Sequence, residues 1–381
     1  MNYSLFRKLT VGLFVSCVMF NGCITLYEFS GTERLHSVLV VEGIITDSVT
    51  NIRLSRSVGL SDRLNDYVYV DNGTVWVECD DGTVSNTSQF MGMGYYHILT
   101  GDLNPDCKYR LRILLEGEEY RSEFLQPLLT PDFDLAWAKK GEVSISIHVS
   151  TQDTIRQSAY YLWSFMEDWE IKARLLVDSF CINGEWVAND IFTTGNRYWC
   201  WKKDSSRVFI LGNVERMTDQ AVKSMEIRSF FASNERLSLL FHISVKQHLI
   251  RKEAYKYYAN LQKNVESTGS LFAPIPAELP GNVYCITTPD MPVIGFVEVS
   301  TSREQGQFMS ADEAYAESVN LMDCNIEIPP GGYAPPQCYN TARYQWVHYM
   351  RQKWIYNPQC VDCIAAGGTK NKPPWWPTSQ L

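Results

Sequence analysis

"KYRLRILLEGEEYRSEFL", residues 108–125, decides the fold class of this chain of 381 residues. Apolar residues occupy alternate positions before its central turn: Tyr109, Leu111, Ile113 and Leu115. This two-residue period is typical of a strand with one buried face. Glu116-Gly117 is a turn signal, and the residues after it resume the strand pattern, so the stretch predicts a β-hairpin.

Two segments on the N-terminal side follow the same pattern. SVLVVEGIITD (37–47) is rich in β-branched residues, and TVWVECDDGTV (74–84) alternates before a turn at Asp80-Asp81-Gly82. Short strands separated by turn signals over about 90 residues are typical of an immunoglobulin-like β-sandwich. We therefore expect such a sandwich over residues 37–127, followed by the exit linker PLLTPDFD (127–134).

The chain beyond this linker is also rich in strand patterns. Three segments carry them: VSISIHVS (143–150), YYLWSFMEDWEIKARLL (160–176) and LSLLFHISV (237–245). A helical spacing runs from Ile250 to Val265, and Ser310 with Glu313 forms a capping box for a second, short helix. We therefore predict a mainly β protein whose larger C-terminal domain, residues 138–381, is β-rich with one or two helices and a cysteine-containing tail.

Residues 1–22 have the form of a bacterial lipoprotein signal peptide. A short basic region precedes an apolar run, and Gly22 stands directly before Cys23, the residue expected to carry the lipid. Cys17 is a weaker alternative for lipidation, and an ordinary cleaved signal that leaves Cys23 as a plain thiol is another. We expect residues 23–36 to tether the protein to the outer membrane, on either the cell-surface or the periplasmic face.

The charge of the chain limits its partners. The net charge is −9 and basic runs are absent, which argues against nucleic acid as a partner.

Apart from the signal peptide, no stretch approaches the ~20 apolar residues that a membrane-spanning helix needs. We expect neither a metal ion nor another cofactor.

Four cysteines lie towards the C-terminus: Cys324, Cys338, Cys360 and Cys363. Cysteines of exported proteins commonly pair, so we expect disulfides among these four, with all three connectivities open. A zinc site and a redox-active Cys360-x-x-Cys363 are the alternatives, weakened by the wide upstream spacing and by the turn-rich tail. Cys79 and Cys285 lie in apolar strand-like runs and are interpreted as buried free thiols.

Five tryptophans lie in segments rich in Gly, Asn and Pro: Trp186, Trp199, Trp201, Trp375 and Trp376. Exposed aromatic rings bind sugars through their faces and anchor protein interfaces, so these five are the candidate ligand- or partner-binding residues. Packing in the core is the alternative interpretation. Lys202 and Lys203 would add a positive rim to such a surface.

Catalytic signatures are missing from the sequence. The six histidines form no H-E-x-x-H pair, and there is no G-x-S-x-G or Walker motif. Carboxylate pairs for glycoside cleavage could be formed from many residues, including Glu167 and Asp168, and their separation in space decides the chemistry. The cluster at Asp80-Asp81 fits a hairpin turn better than a calcium loop. We therefore expect a protein that is not an enzyme.

The order of several segments resembles a known family. LVVEGIITD, IRLSRSV, GTVWVECDDGT and YRLRILLEGEEYRSE are followed by EAYKYYANLQKNVESTGSLFAPIPAELPGNVYC, VIGFVEVSTS and CVDCIAAGGTKNKPPWWP. Over residues 37–377 this series resembles the domain of unknown function 4249 family. The resemblance implies a lipoprotein of Gram-negative bacteria rich in TonB-dependent transporters, often found beside such a transporter. It supplies no catalytic or binding residue.

These observations together predict a function. We expect a non-catalytic, lipid-anchored envelope protein that is an accessory or ligand-binding partner of a TonB-dependent outer-membrane transporter. A structural or adhesive surface lipoprotein with no transport role is the alternative. A hydrolase with a dispersed site is a second alternative. The identity of the ligand is left open.

Overall fold

The computed structural model describes residues 38–57, 68–141, 144–191, 196–206, 209–267, 281–314, 324, 345–349 and 352–377. Strands dominate these ranges, which confirms the mainly β class. The strands are β1 (Leu39–Ile45), β2 (Ser48–Arg56), β3 (Val68–Tyr69), β4 (Thr74–Cys79), β5 (Gln89–Gly92), β6 (Tyr95–Gly101), β7 (Tyr109–Leu115), β8 (Glu118–Ser122), β9 (Phe133–Lys140), β10 (Ser144–Gln152), β11 (Tyr160–Lys172), β12 (Ser179–Ile182), β13 (Glu185–Ala188), β14 (Trp199–Ser205), β15 (Ile210–Asn213), β16 (Ala221–Phe231), β17 (Leu240–Ile250), β18 (Val283–Cys285), β19 (Val293–Gly295), β20 (Glu298–Val299), β21 (Ser302–Ser310), β22 (Gln345–Tyr349) and β23 (Gln352–Tyr356). The helices are α1 (Lys252–Ser267), α2 (Ala311–Ala314) and α3 (Pro358–Val361). Within the described ranges, none of these helices has the length and apolar character to cross a membrane.

Two sheets pack around one core in the N-terminal half. The larger sheet has the order β19-β1-β2-β6-β5, with β20 beside β1 and β3 beside β2, and the smaller has the order β18-β8-β7-β4. Both sheets contribute buried side chains to this core, among them Ile52, Val75, Tyr96 and Ile113. The hairpin predicted in residues 108–125 is confirmed as β7 and β8, because alternate residues of β7 are buried.

The immunoglobulin-like architecture expected for residues 37–127 is not confirmed. Three strands of these sheets come from residues 283–299, inside the predicted C-terminal domain: β18 pairs with β8, while β19 and β20 pair with β1. Residues 37–127 therefore do not complete either sheet alone. The alternation within a strand shows which of its faces is buried. It does not identify a partner strand that is distant in the sequence.

A second core lies between a five-stranded and a three-stranded sheet. The five-stranded sheet has the order β14-β11-β17-β21 with β15 beside β11, and the three-stranded sheet has the order β16-β10-β9. Every second residue of β11 enters this core, including Trp163 and Trp169, and β17 contributes Phe241 and Ile243. The opposite side of the five-stranded sheet is therefore available for other contacts. A further sheet has the order β13-β12-β22-β23.

The helices occur close to their predicted positions. Ala254, Tyr257 and Tyr258 of α1 pack against Tyr160 and Leu162 of β11. The helical pattern was read from residue 250, but that residue ends β17 and α1 begins two residues later. The capping box before α2 is confirmed, since the backbone N–H of Ser310 donates to Glu313 Oε2 (2.8 Å) and the N–H of Glu313 donates to Ser310 Oγ (3.3 Å).

A buried ion pair joins the two cores. Glu298 of β20 is fully buried, and its carboxylate accepts a hydrogen bond from the backbone N–H of Arg251 (2.8 Å) and pairs with the Arg251 guanidinium. The same guanidinium donates to the carbonyl oxygen of Gln126. Arg251 follows β17, so the N-terminal sheets and the five-stranded sheet are fixed to each other at this point.

Candidate functional site

The outer face of the five-stranded sheet carries a row of chemically distinct side chains. Asp168 of β11 lies opposite Lys203 of β14 on one side and His242 of β17 on the other, and His242 lies opposite Phe308 of β21. Paired residues share one face of a sheet, so these four side chains lie in a row on the side away from the core. We call this side of the sheet, with the tail that covers it, the outer aromatic face.

The C-terminal tail is attached to this face along β14. The N–H of Trp201 donates to the carbonyl of Thr369 (2.9 Å), and the N–H of Thr369 donates back to the carbonyl of Trp201 (2.8 Å). A disulfide joins Cys200 of β14 to Cys363. Gly368 permits this close approach, because a Cβ atom there would lie 2.6 Å from the Cβ of Cys200. The tail then continues across the sheet towards β21.

An aromatic cluster forms where the tail reaches β17 and β21. The ring centroid of Trp375 lies 4.3 Å from that of His242, and the ring of Trp376 lies 5.4 Å from that of Phe308. His242 and Phe308 lie 4.5 Å apart. Trp375 is 50% exposed, whereas Trp376 is buried. Trp376 therefore fixes the tail, and Trp375 presents a ring to solvent.

Gly306 makes room for the imidazole of His242. A Cβ atom at position 306 would lie 2.5 Å from Nε2 of His242, so a larger residue there would displace the ring. Burial lowers the pKa of His242, with the charge of Glu304 opposing the shift. The ring is therefore neutral near pH 7 and offers a hydrogen-bonding nitrogen instead of a positive charge.

Several polar ring atoms on this face lack partners. Among the described residues, the buried indole N–H groups of Trp199 and Trp201 and the Nδ1 atom of His242 have no hydrogen-bond partner. These three atoms are buried from solvent, as polar groups in a protein interior usually are only when they have partners. The outer aromatic face thus combines an exposed ring surface with buried polar ring atoms.

Positive charge is added by the tail. The ammonium groups of Lys370 and Lys372 lie 6.0 and 5.9 Å from the ring centroid of Trp201. Burial lowers the pKa of Lys370, with Asp362 opposing the shift. Of the two predicted rim lysines, Lys203 shares the outer face with Asp168. Lys202 pairs instead with Glu235 (2.8 Å).

The structure brings together four of the five predicted tryptophans. Trp199, Trp201, Trp375 and Trp376 all belong to the outer aromatic face or its covering tail. Trp186 lies on β13, in the sheet that also contains β12, and is not part of this cluster. His242, Phe308 and the two tail lysines were not predicted as site residues. The cross-strand register that places them together is a tertiary property, so the sequence carried no direct signal for it.

The disulfides extend beyond the four cysteines considered. Cys324 pairs with Cys360, as one of the expected connectivities requires. Cys363 pairs with Cys200 instead of with a member of that group, and Cys181 is also disulfide-bonded. Cys338 and Cys23 lie outside the described residues. Cys79 and Cys285 are free and buried, as predicted, and a half-buried Cys107 is also free.

The two adjacent carboxylates considered for glycoside cleavage do not converge. Glu167 points into the core side, where it is fully buried and accepts hydrogen bonds from Arg228 (2.6 Å) and Arg236 (2.8 Å). Asp168 points to the outer face, and burial raises its pKa, with Lys203 opposing the shift. Successive residues of a strand face opposite sides, so the two groups cannot act on one bond.

A cavity of about 410 Å³ lies beside the buried ion pairs. Arg228, Asp204 and the ring of Phe165 are among the described residues that line it. Asp204 accepts a hydrogen bond from Arg236 (2.6 Å), which also binds Glu167. Both carboxylates are thus bound by guanidinium groups, an arrangement that holds the two sheets together.

Comparison with known proteins identifies one family. The profile of the family described as "Domain of unknown function (DUF4249)" matches residues 24–306. None of the curated proteins matches the chain. The match ends at residue 306, whereas the likeness expected from the sequence extends to residue 377. It begins at residue 24, directly after Cys23. It includes the N-terminal core, most of the second core and His242, whereas Phe308 and the tail with Trp375 lie beyond it.

Proposed function

The chain belongs to the family described as domain of unknown function (DUF4249), and from this premise we propose that it is a non-catalytic lipoprotein of the outer membrane. In this proposal Cys23 carries the lipid, and the protein is an accessory, ligand-binding partner of a TonB-dependent transporter. The assignment of Cys23 is supported by the sequence, in which a basic region and an apolar run end at Gly22, directly before Cys23.

The outer aromatic face is the observation that carries the ligand-binding role. Trp375 presents half of its surface to solvent beside the neutral ring of His242. The ammonium group of Lys372 supplies a positive charge near the ring of Trp201. An aromatic face flanked by donors suits a carbohydrate, whose C–H groups pack on a ring while its hydroxyl oxygens accept hydrogen bonds.

Anchoring makes a weak site useful. A lipid on Cys23 would restrict the protein to the membrane surface, so a ligand bound at the outer aromatic face is presented to a neighbouring transporter at high effective concentration. Such a role needs binding and release only. The adjacent carboxylates of Glu167 and Asp168 point to opposite faces of β11, so this pair does not form an acid–base site.

Copurification tests the transporter partnership. The tagged full-length protein is isolated from outer membranes in a gentle detergent, and its partners are identified by mass spectrometry. We expect a TonB-dependent barrel in near-stoichiometric amount, and we expect the Cys23→Ala variant to leave the membrane fraction. Recovery of the protein alone, repeated after chemical crosslinking, would reject the partnership.

A structural or adhesive role is the second candidate. The hairpin of β5 and β6 at the edge of the larger N-terminal sheet exposes Phe90, Met91 and Met93, with Met93 64% exposed. Exposed apolar groups on an edge strand favour contact with another protein. Binding of a non-transporter protein through this hairpin, with the outer aromatic face dispensable, would favour this alternative.

A further inference from the structure

Two free cysteines meet at one end of the four-stranded sheet. Cys79 ends β4 and lies opposite Tyr109, the first residue of β7, while Cys107 comes two residues before Tyr109. The sulfur atoms of Cys79 and Cys107 and a carboxylate oxygen of Asp80 all lie within 4.8 Å of one another. The strand register therefore brings the two thiols together, although 27 residues separate them in the sequence.

The backbone around these cysteines is firmly held. The N–H of Asp80 donates to the carbonyl of Lys108 (2.9 Å), and the N–H of Lys108 donates to Asp80 Oδ1 (3.0 Å). The N–H of Cys79 donates to the carbonyl of Thr83 (2.8 Å). Cys107 directly precedes Lys108, and its sulfur lies within 4.8 Å of the sulfur of Cys79. These backbone hydrogen bonds hold the two segments that carry the thiols close to each other.

The two thiols differ in accessibility. Cys79 is 3% exposed, and its S–H donates to Asp80 Oδ1 (3.5 Å), whereas Cys107 is half-buried. Burial raises the pKa of Cys79 to about 12, so its sulfur keeps its proton. Cys107 remains within reach of an oxidant.

Other cysteines of the chain indicate its redox environment. Cys200–Cys363 and Cys324–Cys360 are disulfides, and disulfides persist in oxidising compartments. Two free thiols within bonding reach of each other are unstable in such a compartment. We propose that Cys79 and Cys107 form an additional disulfide in the exported protein, by exchange with a low-molecular-weight or protein disulfide. This inference rests on the export that the proposed function requires.

The exchange proceeds in two balanced steps. The thiolate of Cys107 attacks one sulfur of the external disulfide, forms a mixed disulfide and releases the other sulfur as a thiol. The sulfur of Cys79 then attacks Cys107 Sγ, and its proton passes to the external sulfur, which leaves as the second thiol. Two protein thiols are oxidised, and the external disulfide is reduced to two thiols. The new bond ties the end of β4 to the turn before β7.

Disulfide mapping of the full chain tests this inference. The protein is purified from the envelope without reductant, unfolded in the presence of an alkylating reagent, digested and analysed by mass spectrometry. We expect a peptide pair linked through Cys79 and Cys107, and Cys285 in alkylated form. Alkylation of both Cys79 and Cys107 in protein that retains the Cys200–Cys363 bond would overturn the inference and leave the proposed export intact. Loss of both bonds would overturn the export as well.

Matched variants separate a disulfide from a metal site. Cys107→Ser should convert Cys79 into an alkylatable thiol after unfolding and lower the melting temperature. Cys285→Ser, the control, should retain the Cys79–Cys107 link. Metal analysis is run on the same samples with zinc as the probe. Stoichiometric zinc in the wild type that is lost in Cys107→Ser would contradict the disulfide.

Discussion

The ring centroids of His242 and Trp375 lie 4.3 Å apart, although one residue belongs to the middle of a sheet and the other to the C-terminal tail. The contact exists because Gly306 leaves space for the imidazole and because a disulfide and a backbone pairing attach the tail to β14. The exposed ring of Trp375 is thus held on a rigid surface. A rigidly held ring favours ligand binding, because the protein loses less conformational entropy when the ligand binds.

Replacing Trp375 tests the binding surface. Trp375→Ala should weaken carbohydrate binding by at least about tenfold, because the ring face that packs against the ligand is removed. The free energy of unfolding should change little, since the ring is half-exposed. Isothermal titration calorimetry with a panel of soluble oligosaccharides measures the first effect. Trp186→Ala, which removes the same side chain in another sheet, should bind as the wild type does. Equal affinities for the two variants would contradict the assignment.

The disulfide of the tail should control the same site. The double variant Cys200→Ser, Cys363→Ser removes the bond between β14 and the tail. We expect loss of oligosaccharide binding although every ring is still present, because the tail no longer holds Trp375 against His242. Removal of Cys324–Cys360 by paired serine substitutions is the comparison, and it should reduce binding less. Unchanged binding in the first double variant would show that the tail is held without its disulfide.

His248 should make the stability depend on pH. This residue is fully buried, and burial lowers its pKa to about 4. A histidine in the unfolded chain titrates near 6.5, so between these values the unfolded chain binds a proton that the folded chain does not. The free energy of unfolding should therefore fall as the pH decreases from about 6.5 to about 4, by roughly 3 kcal/mol for this group.

Denaturant unfolding at pH 7 and pH 4.5 measures the contribution of His248. The His248→Gln variant should lose less stability between these two pH values than the wild type does. His97→Gln, at a half-buried position on β6, should retain the wild-type difference. An identical loss in all three proteins would mean that other groups cause the acid sensitivity.

The ion pairs of Glu167 should serve stability and not ligand binding. Glu167→Gln leaves Arg228 and Arg236 without their shared carboxylate, and breaking a buried pair of this kind costs about 3–5 kcal/mol. Urea unfolding measures the change. Glu226→Gln, which breaks the exposed pair with Lys140, should have little effect. Oligosaccharide binding should persist in both variants, and its selective loss in Glu167→Gln would revive a role for this carboxylate in a ligand site.

Local patterns predicted the strands of this fold well. The alternation in residues 108–125 and 160–176 identified β7, β8 and β11, because a strand with one buried face records its environment in its own sequence. The pairing of β18, β19 and β20 with N-terminal strands was not predicted, since no local signal specifies a distant partner. The same limit explains why Cys200 was missed as the partner of Cys363.

The candidate site was predicted only in part. Trp199, Trp201, Trp375 and Trp376 were selected from their polar and Gly-rich or Pro-rich surroundings, and the fold places them on one face. His242 was not among the predicted site residues, because its position opposite Phe308 depends on the register of β17 with β21. Register is set by the packing of whole sheets, so a single strand could not show it.

In the proposed function, the outer aromatic face binds a ligand for a TonB-dependent transporter. The most direct test is quantitative copurification from outer membranes with three tagged proteins: the wild type, Trp375→Ala and Trp186→Ala, each supplied with the oligosaccharide that binds best. We expect a TonB-dependent barrel in near-stoichiometric amount with the wild type and with Trp186→Ala. We expect the ligand to be retained in the complex only when Trp375 is present. Recovery of all three proteins without a barrel, even after crosslinking, would reject the partnership with a transporter.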